Sequence, residues 1–212
     1  MKKTFSRLSW RIGCALALAV VLFGLFVLSL TGLSLLRTRA QSRFAEMYAN
    51  VIPLPAARVP GGWVLYRDVL DRWKRVDAFR DRVASLPSPE GQTLRSREEL
   101  QKEAYEQLIR ERFVEVLAEE DHFILTKTYL DTTFESLLLR QTSSTDIGEA
   151  IRLFETATGV ASSVYKDTVI RPALLETALK ARAEIAGIMP LDWQKQLEER
   201  LHSKDVARFL SL

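Results

Sequence analysis

Cysteine and histidine are scarce, with one cysteine and two histidines in 212 residues. The single cysteine, Cys14, cannot form a disulfide within the chain, and no CxxC pair or Cys/His spacing typical of structural zinc occurs. His122 lies at the end of a helical pattern, where an imidazolium suits the helix dipole. HExxH, GxSxG, P-loop and GxGxxG motifs are also absent. The sequence therefore predicts no catalytic residue, no metal site and no cofactor.

Acidic residues are missing from the first 43 residues, which carry seven basic side chains. Subtracting these seven from the chain's 30 basic residues leaves 23 basic against 27 acidic residues in 44–212. The basic character of the chain thus comes from its N-terminal segment. Because no basic stripe interleaved with aromatic residues runs through the remainder, the sequence predicts no nucleic-acid partner.

Charge is also missing from Ile12 to Leu36, a run of 25 residues dominated by Leu, Val, Ala and Phe. As a helix this run is long enough to cross a bilayer, and it exceeds the roughly 7–15 residues of a signal-peptide core. A cleaved signal peptide, with Thr38 and Ala40 at the cleavage site, is the alternative. We expect a single-pass anchor in the cell membrane. The small excess of basic residues before it predicts a cytoplasmic N-terminus and an extracytoplasmic C-terminal domain.

The clearest helical pattern covers residues 96–122. Ser96 and Glu99 have capping-box spacing, in which each side chain satisfies a free backbone amide at the helix start. The apolar residues recur at helical spacing, and a helix of this kind needs cover from other elements. They are Leu100, Ala104, Tyr105, Leu108, Ile109, Phe113, Val116 and Leu117.

The opposite face of this central helix is polar and includes Glu111. Glu106 and Arg110 on that face have the spacing of a stabilising i,i+4 ion pair.

Two adjacent glycines indicate the one convincing β-hairpin of the sequence. Gly61 and Gly62, between Val59 and the run Trp63-Val64-Leu65-Tyr66, predict a tight hairpin, and a helix over 67–85 follows it. The fold class predicted from these patterns is mainly α. It comprises a single N-terminal transmembrane helix followed by an irregular helical bundle with one small β-hairpin.

Three more helical patterns follow the central helix, and a final helix closes the chain. The first begins at Thr126, the second ends near Gly159, and the third contains Pro172, which is expected to kink it. Asp192 is the expected cap of the final helix. The predicted segments are a cytoplasmic N-terminus (1–11), an anchor (12–36), a juxtamembrane connector (37–56), a helical domain (57–189) and a C-terminal helix (190–212).

Four stretches occur in an order that resembles a known family. A hairpin ending in Leu65-Tyr66 precedes a helix, and a long Glu-rich helix ends in Val-Leu-Ala-Glu-Glu at 116–120. Phe-Ile-Leu-Thr-Lys-x-Tyr-Leu-Asp follows at 123–131, and Val-Ile-Arg-Pro-Ala-Leu-Leu-Glu comes last at 169–176. Over about Ala57 to Ala186, this order resembles the N-terminal chaperone domain of SurA and of the membrane-anchored foldases PpiD and PrsA.

The resemblance implies an extracytoplasmic, ATP-independent holdase whose partners are unfolded or newly translocated polypeptides. Many relatives also carry a parvulin-type prolyl isomerase domain. Only 32 residues follow Lys180, so such a domain does not fit and no enzyme is expected. Two other hypotheses remain: a structural or adaptor subunit of a cell-envelope complex that binds one folded partner, and a remnant of a peptidyl-prolyl isomerase.

Aromatic side chains are the candidate peptide-binding residues under the holdase hypothesis, because rigid apolar walls bind exposed hydrophobic segments without strict sequence choice. The alternative is that the same residues form the core. The candidates are Trp73, Phe79, Tyr105, Phe113, Tyr129, Phe134, Phe154 and Tyr165.

Overall fold

The computed structural model describes residues 22–24, 26–38, 41–84, 95–142 and 146–210. These residues form a mainly helical fold with a small three-stranded antiparallel sheet. The predicted mainly α class and its hairpin are confirmed.

The described helices and strands follow one another in a simple order. The helices are α1 (22–24 and 26–38), α2 (Arg43–Val51), α3 (Tyr66–Ala84), α4 (Arg97–Glu120), α5 (Lys127–Thr142), α6 (Ile147–Thr158), α7 (Ser162–Tyr165), α8 (Arg171–Ile185) and α9 (Pro190–Leu201). A π-helical segment, Lys166–Ile170, connects α7 to α8. The strands are β1 (Pro55–Val59), β2 (Gly62–Leu65) and β3 (Ala207–Arg208).

The sheet has the strand order β2-β1-β3. Gly61 turns the hairpin with a φ of +77°, and a Cβ there would lie 2.8 Å from Val116, so a larger residue would be both strained and crowded. β3 pairs with β1 through Ala57 and Arg208. The predicted C-terminal helix over 190–212 instead ends at Leu201, and the chain turns back to add this third strand.

Helix α4 lies at the centre of the main core. It packs against α3, α8, α9 and both strands of the hairpin, and it buries Tyr105, Ile109, Phe113 and Val114. Because neighbours cover it on more than one side, Glu111 is also buried, with 8% of its surface exposed. Periodicity places Glu111 on the polar face of the helix, and the packing of these neighbours buries it.

The start of α4 is as predicted. The Ser96 side chain accepts a hydrogen bond from the Glu99 amide at 3.2 Å, and the Glu99 carboxylate accepts one from the Ser96 amide at 3.0 Å. The predicted pairing of Glu106 with Arg110 is replaced by long-range partners. Glu106 accepts hydrogen bonds from Arg208, and Arg110 pairs with other carboxylates described below.

A second, smaller core lies under the segment that we call the satellite, which comprises α5, α6, α7 and the π-helical segment. Its buried residues are Leu130, Phe134, Leu138, Ala150 and Ile170. The π-helical segment ends directly before Arg171 and Pro172. Because proline has no amide hydrogen and disturbs the turn before it, the irregularity expected at Pro172 takes the form of a wider turn.

The predicted anchor lies partly outside the described residues, which omit 12–21 and residue 25. The described part of α1 packs its C-terminal end on the protein, where Leu35 and Leu36 are buried and Leu35 O accepts a 3.4 Å hydrogen bond from Tyr66 Oη. Within the described ranges, no helix has both the length and the apolar character needed to cross a membrane. The predicted single-pass membrane location, with a cytoplasmic N-terminus and an extracytoplasmic domain, is therefore wrong.

Candidate functional site

Three of the eight candidate aromatic residues belong to the main core. Trp73, Tyr105 and Phe113 are at most 1% exposed. Their polar atoms are satisfied internally, since Trp73 Nε1 donates to Gln101 O at 2.8 Å and Tyr105 Oη donates to Ala56 O at 2.7 Å. Burial raises the pKa of Tyr105 to about 12. A bound polypeptide does not reach these side chains in this conformation.

Three others come together in the satellite. Phe134 lies edge-on to Phe154 with 5.7 Å between ring centroids, and Phe154 lies edge-on to Tyr165 at 4.8 Å. Lys166 Nζ lies 5.7 Å from the centre of the Phe134 ring and forms an ion pair with Asp131. Phe134 is buried, whereas Phe154 and Tyr165 are partly exposed, so part of this aromatic cluster contacts solvent.

The last two candidates, Phe79 on α3 and Tyr129 on α5, are exposed over 64% and 56% of their surface. Three more large apolar side chains of the satellite are exposed, namely Leu137 on α5, Leu153 on α6 and Val169 on the π-helical segment. We call Tyr129, Leu137 and Leu153 the open satellite residues. The eight candidates therefore divide between the core, the aromatic cluster and the surface, and they do not line one groove.

A polar cleft lies between α4 on one side and the π-helical segment with α8 on the other. Its volume is about 370 Å³. None of the eight aromatic candidates contributes to its walls. The lining residues are Arg72, Gln107, Arg110, Glu111, Val114, Thr168, Val169, Pro172, Ala173 and Glu176.

An ion pair between α3 and α4 forms one end of this cleft. Arg72 donates to both carboxylate oxygens of Glu111, at 3.2 and 2.5 Å, and Gln107 Nε2 donates to the same carboxylate at 3.3 Å. Burial raises the pKa of Glu111, and the neighbouring Arg72 opposes that shift without cancelling it. The Nε of Arg72 is buried and has no hydrogen-bond partner among the described residues.

A second group of charges ties three helices together beside the cleft. Arg110 on α4 donates to both carboxylate oxygens of Glu176 on α8, at 3.1 and 2.7 Å, and also to Glu198 on α9. The hydrogen bonds that Arg110 donates to Glu176 raise the pKa of the Arg110 guanidinium. Each cation of the cleft walls thus has its own carboxylate partner.

The polar cleft was not predicted from the sequence. Gln107, Arg110, Glu111 and Val114 do recur at i, i+3, i+4 and i+7, which marks a second face of α4 that could have been read as an interface. The partner Arg72, however, is far from them along the chain and carries no local signal. Among the described residues, no cluster of three or more His, Cys, Asp or Glu side chains is placed to hold a metal ion.

Comparisons with protein-family models, with curated proteins and with solved structures find no match to this chain.

Proposed function

We propose that this chain is an ATP-independent, chaperone-type module that holds non-native polypeptide segments. The observation that carries the proposal is the exposure of the open satellite residues, Tyr129, Leu137 and Leu153, on helices that cover only a small core. We take these three side chains to form one apolar patch. Contiguous exposed patches mark surfaces that bind other polypeptides, whereas singly exposed apolar residues are ordinary.

The sequence resemblance supports the same function. The stretches that resemble SurA-type chaperone domains fall on the hairpin, on the end of α4, on the start of α5 and on the π-helical segment with α8. The chain has a hairpin, a helix, a long helix and then shorter helices, which is the order on which the resemblance rests.

Holding in this way needs neither a nucleophile nor nucleotide hydrolysis. Apolar contact is non-directional, and burying one large apolar side chain contributes about 1.5–3 kcal/mol, so three open side chains supply useful affinity without sequence selection. The small satellite core also favours local adjustment, because regions with few buried contacts open at low free energy.

The test is aggregation of guanidinium-unfolded citrate synthase, followed by light scattering with increasing amounts of the full chain. We expect suppression by the wild type and a clear loss of suppression in a Tyr129→Ser/Leu137→Ser variant. A matched Ile185→Ser/Leu191→Ser variant, in which two exposed apolar residues outside the satellite are changed, is expected to behave as the wild type. No suppression at several-fold excess of the wild type would exclude the proposal.

One observation favours a second function, that of an adaptor for one folded partner. The corner between α8 and α9 exposes Ile185, Met189 and Leu191 over 89%, 66% and 81% of their surface. Three such residues around a single turn suit a fixed docking contact. Recovery of one stoichiometric partner that is lost in the Ile185→Ser/Leu191→Ser variant, together with no effect on aggregation, would favour the adaptor.

A further inference from the structure

The walls of the polar cleft are electrically balanced. Among the lining residues, Arg72 is paired with Glu111, and Arg110 is paired with Glu176. A charged ligand would lose water on entering and would find no unpaired counter-charge in these walls, which makes its binding unfavourable. The balance therefore favours an uncharged ligand over an anion or a cation.

The same walls combine apolar surface with an amide. Val114, Val169, Pro172 and Ala173 supply the apolar part. Gln107 donates one N–H to Glu111, and no other hydrogen bond of its amide is formed within the described part of the chain. The remaining N–H and the Oε1 of Gln107 match the carbonyl and N–H of a peptide bond, because an amide donates and accepts as another amide does.

The size and the backbone of the cleft agree with this ligand class. A volume of about 370 Å³ lies at the lower end of the roughly 300–1,000 Å³ of ligand sites and admits a short stretch of chain. Thr168 and Val169, on the second wall, belong to the π-helical segment. Such single π turns inside helices are found frequently at functional sites.

We propose that this cleft binds an uncharged stretch of extended polypeptide, with the Gln107 amide pairing to its backbone and the apolar wall receiving a small side chain. This inference rests on the proposed holding function, to which it adds a backbone-binding site where the π-helical segment of the satellite lines the cleft. It assigns that site to α4, the π-helical segment and α8.

The experiment measures fluorescence anisotropy of a labelled, end-capped octapeptide of alternating Val and Ser, titrated with the full chain. Peptides with Asp or Lys in place of Ser are compared with it. Ala173 is exposed and lines the cleft, so Ala173→Trp fills the site. Ala181→Trp, at an exposed alanine of the same helix outside the cleft, is the matched control.

We expect the neutral peptide to bind most tightly, Ala173→Trp to weaken it about tenfold or more, and Ala181→Trp to leave its affinity unchanged. Equal affinity in Ala173→Trp, or tighter binding of a charged peptide, would overturn the inference. Should Ala173→Trp not fold, Gln107→Leu is tested against Gln196→Leu, an exposed glutamine on α9, with the same expectations.

The two proposals fail separately. If the wild type suppresses aggregation but binds no octapeptide, the cleft inference is wrong and the holding function stands. If it does neither, the holding function fails and the inference that depends on it fails as well.

Discussion

Replacing Arg72 and Glu111 first singly and then together tests how much their ion pair contributes to the free energy of unfolding. Glu111 is almost fully buried and accepts three hydrogen bonds, two from Arg72 and one from Gln107. Glu111→Leu leaves the guanidinium in a largely buried place without its carboxylate. Breaking a buried pair in this way costs about 3–5 kcal/mol of unfolding free energy, and Arg72→Met is expected to cost a similar amount.

The double variant is expected to behave differently. Burial raises the pKa of Glu111 in spite of Arg72, so desolvation of the carboxylate outweighs its attraction to the guanidinium. The unsatisfied Nε of Arg72 adds a further cost to the wild type. Replacing both groups with apolar side chains removes these costs, and we expect the double variant to regain about 3 kcal/mol or more relative to either single variant.

Urea unfolding followed by far-UV circular dichroism measures these free energies. The control is the exposed pair Lys195 and Glu199, whose Nζ and Oε1 lie 3.9 Å apart, and whose removal is expected to cost no more than about 0.5 kcal/mol. If the double variant at Arg72 and Glu111 is as unstable as the two single costs added together, the two groups are not coupled. The account of the cleft given above would then be refuted.

Three further changes have definite expected outcomes. Ser96→Ala removes one half of the capping box at the start of α4 and is expected to lower the urea-unfolding free energy by about 1 kcal/mol. Phe134→Ala leaves a cavity at the centre of the satellite core and is expected to lower the free energy of unfolding by about 3–5 kcal/mol. Hydrogen exchange should then show weaker protection of the backbone amides in α5 and α6, with those of α4 unchanged. An equal loss of protection in α4 would contradict a separate satellite core. Folding raises the pKa of Glu111 above its ordinary 4.5. The stability that comes from binding this proton is therefore fully present below pH 4.5, and it is lost as the pH rises through the raised pKa of the folded state. The wild type should therefore lose stability relative to Glu111→Gln as the pH increases above 4.5, and a pH-independent difference between the two would rule this out.

The elements that could be predicted from the sequence are those with local signals. The hairpin follows from Gly61 and Gly62, and the start of α4 follows from Ser96 and Glu99, because turns and helix caps depend on residues a few positions apart. The start of α9 was misplaced at Asp192. Met189 is the residue before the helix and Pro190 opens it, in agreement with the general preference for proline in the first turn.

Long-range contacts account for what could not be predicted. Glu111 lies on the polar face of α4 by periodicity, and only the packing of α3 and α8 around that face buries it. Aromatic identity likewise does not separate core from surface, so Tyr105 and Tyr129 were equivalent candidates although one is buried and the other exposed. The polar cleft could not be predicted because its walls depend on the long-range packing of helices and on which side chains that packing buries.

The pairing of β3 with β1 determines when the sheet can be completed. Ala57 and Arg208 are 151 residues apart in sequence (208 − 57), so their contact closes a very long loop, and such long-range pairing forms slowly. Until Ala207 and Arg208 arrive, one edge of β1 has unpaired backbone groups, and such an edge is a template for other strands. During synthesis the protein is therefore expected to pass through a state in which its hairpin is formed and its edge is open. How quickly Ala207 and Arg208 pair with β1 then decides how long that state is exposed to aggregation.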